Sequence, residues 1–226
     1  MQDQILFEDN HLIIVNKQAG EITQGDKTGD EPLPEKLKVF LKKKYNKPGN
    51  VFVGVVHRLD RPTSGIVVFA KTSKALSRMN KMFQEKKVQK TYWAVVEKAP
   101  KELTGELIDY LEKNTKQNKS YVLKQQNAPK RKNVKKAILS YKLIQHLENY
   151  SLLEVKPKTG RHHQIRVQLS NIGAVIKGDL KYGAKRSNKD GSICLHAREI
   201  EFIHPVKKEQ ITIVAPVPKK DVWKGL

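Results

Sequence analysis

Residues 51–71 read VFVGVVHRLDRPTSGIVVFAK and hold two apolar runs on either side of a polar segment. Val and Phe are frequent in both runs, residues 51–56 and 66–70, and this composition favours β-strands. The segment between them ends in RPTSG at residues 61–65, which is typical of a turn. We therefore predict a strand–turn–strand unit whose rigid strands present the side chains of His57, Arg58 and Asp60 to a ligand.

Similar patterns extend outward from this unit along the chain. Apolar positions at helical spacing predict helices near Leu37, after Ser73 and around Ile165, with Ser73 as the N-terminal cap of the second helix. Further strands are predicted at residues 5–7, 12–15, 90–97, 137–147, 150–156, 200–203 and 210–214. Strands outnumber helices, so we predict an α+β fold with a mixed or largely antiparallel sheet, in a single domain over residues 1–226.

Charge is the most informative property of the composition. Lys and Arg number 44 against 23 Asp and Glu, which gives a formal net charge of +21. Such an excess attracts polyanions, and nucleic acid explains it better than solubility alone does. A membrane surface is the weaker alternative, because no basic amphipathic helix with a broad apolar face stands out.

The chain also carries signals about its compartment. Cys194 is the only cysteine, so an intramolecular disulfide is excluded. The N-terminal residues do not resemble a secretory signal, and no apolar run is long enough to span a bilayer. We therefore expect a cytoplasmic protein without a membrane partner.

Residues 113–147 contain no Asp or Glu, whereas Lys and Arg recur throughout them. A basic insertion or hairpin at about 113–136, including Lys130, Arg131 and Lys132, is therefore predicted to lie along RNA phosphates. A solvated hairpin without a binding role is the alternative interpretation.

Several common catalytic motifs are missing from the sequence. It has no phosphate-binding loop, no dinucleotide fingerprint and no G-x-S-x-G segment around Ser64. His162 and His163 are adjacent, and Cys194-x-His196 stands without further partners, so neither provides the spacing of a zinc site. We expect neither a metal nor an organic cofactor.

Two clusters remain that could carry chemistry. In the first, Arg58 and Arg61 flank Asp60, and opposite charge nearby favours an ionised carboxylate suited to a nucleophile; a structural salt bridge at a strand end is the alternative. The second, residues 159–166, is basic and lies at a predicted helix start, so it could bind phosphate or be a solvated helix end. If it is helical, His162 and Arg166 share a face. Neither cluster alone identifies a reaction.

Taken together, these segments resemble a known family. HRLDRPTSG at residues 57–65, followed by Ala70-Lys71, is similar to the signature of the RluA-type RNA pseudouridine synthases. Five more segments match the family in the same order: Lys90-Thr91-Tyr92-x-Ala94, Gly160-Arg161-x-His163-Gln164-Ile165-Arg166, Gly178-Asp179-x-x-Tyr182-Gly183, Leu195-His196-Ala197 and His204-Pro205. The match covers most of the chain and favours a catalytic role for Asp60 over the salt-bridge interpretation.

The resemblance implies a role for each matching residue. Asp60 would attack the target uridine, at C1′ of the sugar or at C6 of the base, and Tyr92 would remove the proton from C5. Arg166 would pair with Asp60 and keep it ionised, and Arg58 would occupy the place of the extruded nucleotide. RNA contacts are expected from Arg58, His57, Arg61, Thr63, Arg161, His163, Gln164, Lys130, Arg131 and Lys132.

The resemblance also implies a pseudouridine synthase fold with an RNA-binding cleft, no cofactor, and ribosomal or transfer RNA as the partner. We expect a monomer that is a stand-alone catalytic domain without an obligate protein partner. Two positions depart from the family pattern: Gln18 replaces a proline and Gln168 replaces a frequent histidine.

Two other functions stay open at this point. An RNA-binding or ribosome-assembly protein with a vestigial site would share the composition, although Asp60, Tyr92 and Arg166 are all present. An unrelated glycoside or nucleoside hydrolase would need a second carboxylate, for which Glu85 and Asp179 are the candidates.

Overall fold

A computed structural model of the protein describes residues 1–25, 29–123 and 133–226. The α-helices are α1 Leu33–Lys44, α2 Ser73–Gln84 and α3 Gln164–Asn171. The strands are β1 Ile5–Glu8, β2 Leu12–Lys17, β3 Gly54–Val55, β4 Ser64–Ala70, β5 Gln89–Val96, β6 Thr104–Asn114, β7 Lys119–Leu123, β8 Val134–His146, β9 Ser151–Pro157, β10 Leu195–Ile203 and β11 Gln210–Val214. Short 3₁₀ helices lie at Gln2–Gln4, Leu180–Tyr182 and Asp221–Gly225.

The chain divides into two compact units, residues 1–90 with 196–226, and residues 91–195. In the first unit, β2 runs antiparallel to β4 and β10 runs parallel to it, so the sheet is mixed. Every residue of β2 and β4 is buried, which explains why both strands are apolar along almost their whole length. Together with the helices, this arrangement confirms the predicted α+β class.

The second unit is built on an antiparallel ladder. β5 pairs with β9, β9 with β8, β8 with β6, and β6 with β7. Helix α3 contacts β6 and β7, and the buried residues Leu111, Ala137, Val167 and Tyr182 form the core beside it. The basic stretch therefore includes β7 and the start of β8, whereas Lys130, Arg131 and Lys132 lie outside the described residues.

Two local predictions are wrong. The strand predicted at residues 51–56 is reduced to Gly54–Val55, because only these residues pair with β4, opposite Ala70 and Phe69. Ser73 is not the cap of α2, since the extended residue before it, Thr72, accepts a hydrogen bond from the backbone N–H of Ala75 at 3.1 Å.

None of the helices within residues 1–25, 29–123 and 133–226 has the length and hydropathy needed to cross a bilayer.

Candidate active site

Asp60 lies in the turn that connects β3 to β4. The backbone N–H of Thr63 donates to the carbonyl oxygen of Asp60 at 3.0 Å, which closes a turn around Arg61 and Pro62. Leu59, immediately before, is buried, whereas Asp60 itself is partly exposed. The apolar anchor and the closed turn therefore fix the backbone of Asp60 while its side chain stays accessible.

A buried lysine beneath this turn holds its backbone. Lys17 is fully buried at the end of β2, and its Nζ donates to the carbonyl oxygens of Thr63 at 2.7 Å, Gln18 at 3.0 Å and Arg61 at 3.1 Å. An ammonium group has three N–H donors, so these three bonds match its full capacity. The two carbonyls of the turn lie one and three residues after Asp60, so Lys17 fixes the segment that carries the carboxylate.

Burial also changes the protonation of Lys17. It lowers the pKa of the Lys17 amine from 10.5 to about 8, and the negative charges of Glu21 and Asp60 oppose that shift. The amine is therefore mainly protonated near pH 7 and keeps all three donors. Sequence reasoning gave Lys17 no role, because a lysine at a strand end ordinarily points into solvent.

The two arginines that flank Asp60 bind groups of the preceding loop. Arg58 is exposed, and its Nη1 donates to Gln24 Oε1 at 2.9 Å. Arg61 forms an ion pair with Asp30. The prediction that these arginines favour an ionised Asp60 stays a prediction, because the contacts that describe them lead to the loop around residues 20–30.

His57 and Thr63 serve the local structure. His57 Nε2 accepts from the backbone N–H of Val68 at 3.1 Å, and its ring stacks on Phe83 with the ring centroids 5.0 Å apart. Burial, together with the charge of Lys90, lowers the pKa of His57 to about 3, so this ring is neutral at pH 7. Thr63 is 2% exposed, and direct contact of its side chain with RNA would require the turn to move.

Close approach of β4 and β10 supports the far end of the turn. Gly65 has φ +112°, and a Cβ at this position would lie 2.4 Å from the carbonyl oxygen of Ala197. Beside it, Ser64 Oγ and His196 Nδ1 form a buried hydrogen bond of 2.8 Å. Glycine is therefore required where the two parallel strands meet.

Tyr92 and Arg166 both belong to the second unit. Tyr92 lies on β5 opposite Val155 of β9 and is 9% exposed. Arg166 lies in the first turn of α3 and is 5% exposed, with Nε 2.7 Å from Asp179 Oδ2 and Nη2 2.8 Å from Asp179 Oδ1. The pairing of Arg166 with Asp60 stays a prediction, and Asp179 is a partner that sequence reasoning did not assign.

The segment before α3 does not form the predicted helical face. His163 is the N-cap of α3 and adopts φ +52°, so His162 lies outside the helix and does not share a face with Arg166. The two imidazole rings stack at 3.7 Å, and His163 Nδ1 is hydrogen-bonded to the hydroxyl of Tyr182 at 2.9 Å. His163 is therefore a buried structural partner in this arrangement.

The other predicted RNA contacts of this segment differ in exposure. Gln164 is 4% exposed and holds the segment together: its Oε1 accepts from Thr159 at 2.7 Å and from the backbone N–H of Arg161 at 3.0 Å. Arg161 is exposed, with Nε donating to the carbonyl oxygen of Lys136 at 3.0 Å. Arg161 is thus the member of this segment that is best placed to meet RNA.

The remaining carboxylates considered for hydrolysis are already engaged. Both oxygens of Asp179 accept from Arg166, and Glu85 forms ion pairs with Lys87 and Lys81 at the end of α2. Neither arrangement is the protonated carboxylic acid that glycoside hydrolysis requires. Gln168, the departure on α3, is fully buried and donates to Asp109 Oδ2 at 2.7 Å, so it anchors the helix to β6.

An α+β fold with a carboxylate on a lysine-held turn, together with a buried tyrosine and arginine, agrees with the resemblance found in the sequence. The chain belongs to the RNA pseudouridylate synthase family, whose model matches residues 11–171.

Relatives and solved structures extend this match. The chain is 34% identical to an uncharacterized RNA pseudouridine synthase of Synechocystis sp., over 95% of this chain and 65% of the relative. It is 32% identical to the ribosomal large subunit pseudouridine synthase D of Zymomonas mobilis, over 96% and 69% of the two chains. It is 31% identical to the tRNA pseudouridine synthase C of Vibrio parahaemolyticus, over 99% and 93%. The chain thus spans about two thirds of the length of the first two relatives.

One solved structure shares the fold. The human RNA pseudouridylate synthase domain containing 4 superposes with a TM-score of 0.81 at 22% identity, over 96% of this chain and 90% of that one.

Proposed function

We propose that this chain isomerises specific uridines to pseudouridine in structured ribosomal or transfer RNA, with Asp60 as the attacking carboxylate. The observation that carries the proposal is the turn of residues 60–63, whose backbone is held by buried Lys17 while Asp60 stays partly exposed. A carboxylate on a fixed backbone is suited to attack at a defined distance, because positioning supplies much of the rate of such a step. Family membership adds the reaction type.

The reaction is balanced without a redox step. Asp60 attacks C1′ of the sugar or C6 of the base, and the bond between C1′ and N1 breaks. The uracil then turns and forms a new bond between C1′ and C5. The proton lost from C5 is taken up by a base, for which Tyr92 is the candidate, and N1 ends protonated. Arg166 is proposed to pair with Asp60 and stabilise its charge.

RNA binding is proposed to rest on the excess of 21 positive charges. Arg58 and Arg61, which bind Gln24 and Asp30 in the described structure, would exchange these partners for RNA. Extruding the uridine costs a few kcal/mol, which phosphate contacts can offset. The basic stretch and Arg161 would extend this surface on the second unit, and the protein would act as a cytoplasmic monomer.

The basic stretch can be tested separately. Lys113, Lys116 and Lys136 are exposed, so changing all three to Gln should weaken RNA binding and reduce the slope of log affinity against log salt by about 3. The matched control changes three exposed lysines of the first unit, Lys42, Lys43 and Lys47. Unchanged affinity at low salt for the first triple variant would refute a binding role for the stretch.

The reaction itself is tested by mapping pseudouridine in total RNA from cells with and without the protein. One or a few sites should vanish on deletion, return with the wild-type chain, and stay absent with Asp60→Asn, whose side chain has the same shape without the charge. Asp109→Asn serves as the matched control, because Asp109 bonds Gln168 on α3 and has no proposed catalytic role.

An unchanged map on deletion contradicts the synthase proposal. RNA retained by the protein in that case would favour the second candidate, an RNA-binding or ribosome-assembly protein with a vestigial site.

A further inference from the structure

Arg166 and Asp179 form a buried pair that the proposed reaction has not yet used. Arg166 is 5% exposed and Asp179 is 1% exposed. Their contacts run in parallel, Nε to Oδ2 at 2.7 Å and Nη2 to Oδ1 at 2.8 Å. This is the bidentate geometry in which a planar guanidinium and a carboxylate fix each other's plane.

The backbone around Asp179 is itself held in place. The carbonyl oxygen of Asp179 accepts from the N–H groups of Tyr182 and Ala184, both at 3.0 Å, and its own N–H donates to Ile176 at 3.1 Å. Gly178, just before it, has φ +87°, and a Cβ there would come within 2.7 Å of the Ser192 carbonyl oxygen. The carboxylate therefore starts from a backbone that has little freedom to move.

The ring of Tyr182 supports the guanidinium from another direction. The Cζ atom of Arg166 lies 5.1 Å from the centroid of the Tyr182 ring, a cation–π distance. The Tyr182 hydroxyl accepts from the backbone N–H of Ser120 at 2.8 Å and is bonded to His163 Nδ1 at 2.9 Å. The ring is thus fixed at its far end, and Arg166 is held by a carboxylate and by an aromatic ring.

Stability alone is a weak explanation for this arrangement. A buried ion pair loses the hydration of both charges, and well-packed apolar residues in its place often give an equally stable protein. Its distinctive property is orientation, because two of the five N–H donors of Arg166 are committed to Asp179. The direction of the guanidinium is then set by the protein before any RNA arrives.

We propose that Asp179 is a positioning residue that orients Arg166 for the isomerisation, with the Tyr182 ring as the second support. This inference rests on the proposed function, in which Arg166 stabilises the charge of Asp60. Asp179 acts through Arg166 and has no contact with substrate. Loss of orientation should therefore slow turnover, and leave RNA affinity almost unchanged.

The test compares Asp179→Asn with Asp109→Asn in the full chain. Both variants replace a carboxylate that accepts from α3, but Asp109 holds Gln168 and not Arg166. An asparagine has one acceptor oxygen, so it cannot reproduce the bidentate pair. The substrate is an in vitro transcript that carries a uridine identified by the mapping experiment, and kcat and KM are measured separately.

We expect Asp179→Asn to lower kcat about 10- to 100-fold, with KM within about 3-fold, as misplacement of a reacting group by a fraction of an ångström does. Asp109→Asn should keep kcat within about 3-fold. Asp179→Glu, which keeps the charge and two oxygens, should recover part of the lost kcat and provides a folded variant if Asp179→Asn unfolds.

The outcomes distinguish this inference from the function on which it rests. A wild-type chain that forms no pseudouridine contradicts the proposed function and this inference with it. An active wild-type chain with folded Asp179 variants of normal kcat overturns the positioning role alone. Equal loss of kcat in Asp109→Asn would also overturn it, because the effect would then be a general loosening of α3.

Discussion

The Nζ atom of Lys17 lies 2.7 Å from the carbonyl oxygen of Thr63, three residues beyond Asp60. This contact joins the end of β2 to the turn before β4 inside a fully buried environment. A charged donor in such a place is retained only where its bonds are satisfied, and here three carbonyl oxygens satisfy it. The turn that carries Asp60 therefore depends on a residue 43 positions earlier in the chain.

Lys17→Met should destabilise the protein and slow the reaction. Methionine has no donor, so buried carbonyl oxygens would be left unsatisfied, and we expect the free energy of unfolding to fall by about 3 kcal/mol. Urea unfolding measures this loss, and pseudouridine formation by the folded protein should fall about 10-fold or more as the turn loosens. Lys71→Met is the matched control, because Lys71 is another mostly buried lysine but pairs with Glu8. Equal activity of the two variants would contradict the role of Lys17.

Stability should fall steeply in mild acid because two histidines are buried as neutral rings. Burial lowers the pKa of His57 to about 3 and that of His196 to about 4, against 6.5 for an exposed histidine. Below pH 6.5 the unfolded chain binds protons that the folded chain does not. Stability is therefore complete above pH 6.5 and is lost as the pH falls toward 4, by about 2 kcal/mol for each ring at pH 5.

Urea unfolding between pH 7 and pH 4.5 checks this dependence. His57→Gln keeps an acceptor for Val68 but does not titrate, so its slope of stability against pH should be smaller. His146→Gln, at an exposed position, should keep the wild-type slope. Parallel slopes in all three proteins would contradict the prediction.

The cap of α2 can be identified by two neighbouring alanine variants. The hydroxyl of Thr72 accepts from the Ala75 N–H, so Thr72→Ala should lower the free energy of unfolding by about 1 kcal/mol. Ser73 is the first residue of the helix, and Ser73→Ala should change stability by less than about 0.5 kcal/mol. The reverse ranking of the two variants would favour the cap expected from the sequence.

The close approach of β4 and β10 predicts a large difference between two glycine variants. Gly65 and Gly173 both have positive φ, but a Cβ at Gly65 meets Ala197 whereas a Cβ at Gly173 has nothing within 4 Å. Gly65→Ala should therefore lower the free energy of unfolding by about 4 kcal/mol, and Gly173→Ala by about 1 kcal/mol. Thermal unfolding of both variants measures the difference, and similar losses would mean that β4 and β10 can separate without penalty.

The sequence was sufficient for the elements whose pattern is local. β2 and β4 are buried over their whole length, so their apolar runs predicted them well. The predicted strand at residues 51–56 is wrong over most of its length, because a strand needs a partner and only two of its residues meet β4. Propensity indicates which residues tolerate a strand, whereas pairing is decided by the neighbouring strand.

The sequence by itself determined the α+β class, the excess of positive charge and the family, because these follow from composition and from motifs in order. Only the tertiary structure decided which groups hold the candidate site. Lys17 reaches the turn of Asp60, and Asp179 reaches Arg166, across 43 and 13 positions of the chain. Such contacts depend on how distant segments pack, and burial then converts an ordinary lysine or aspartate into a residue with one orientation.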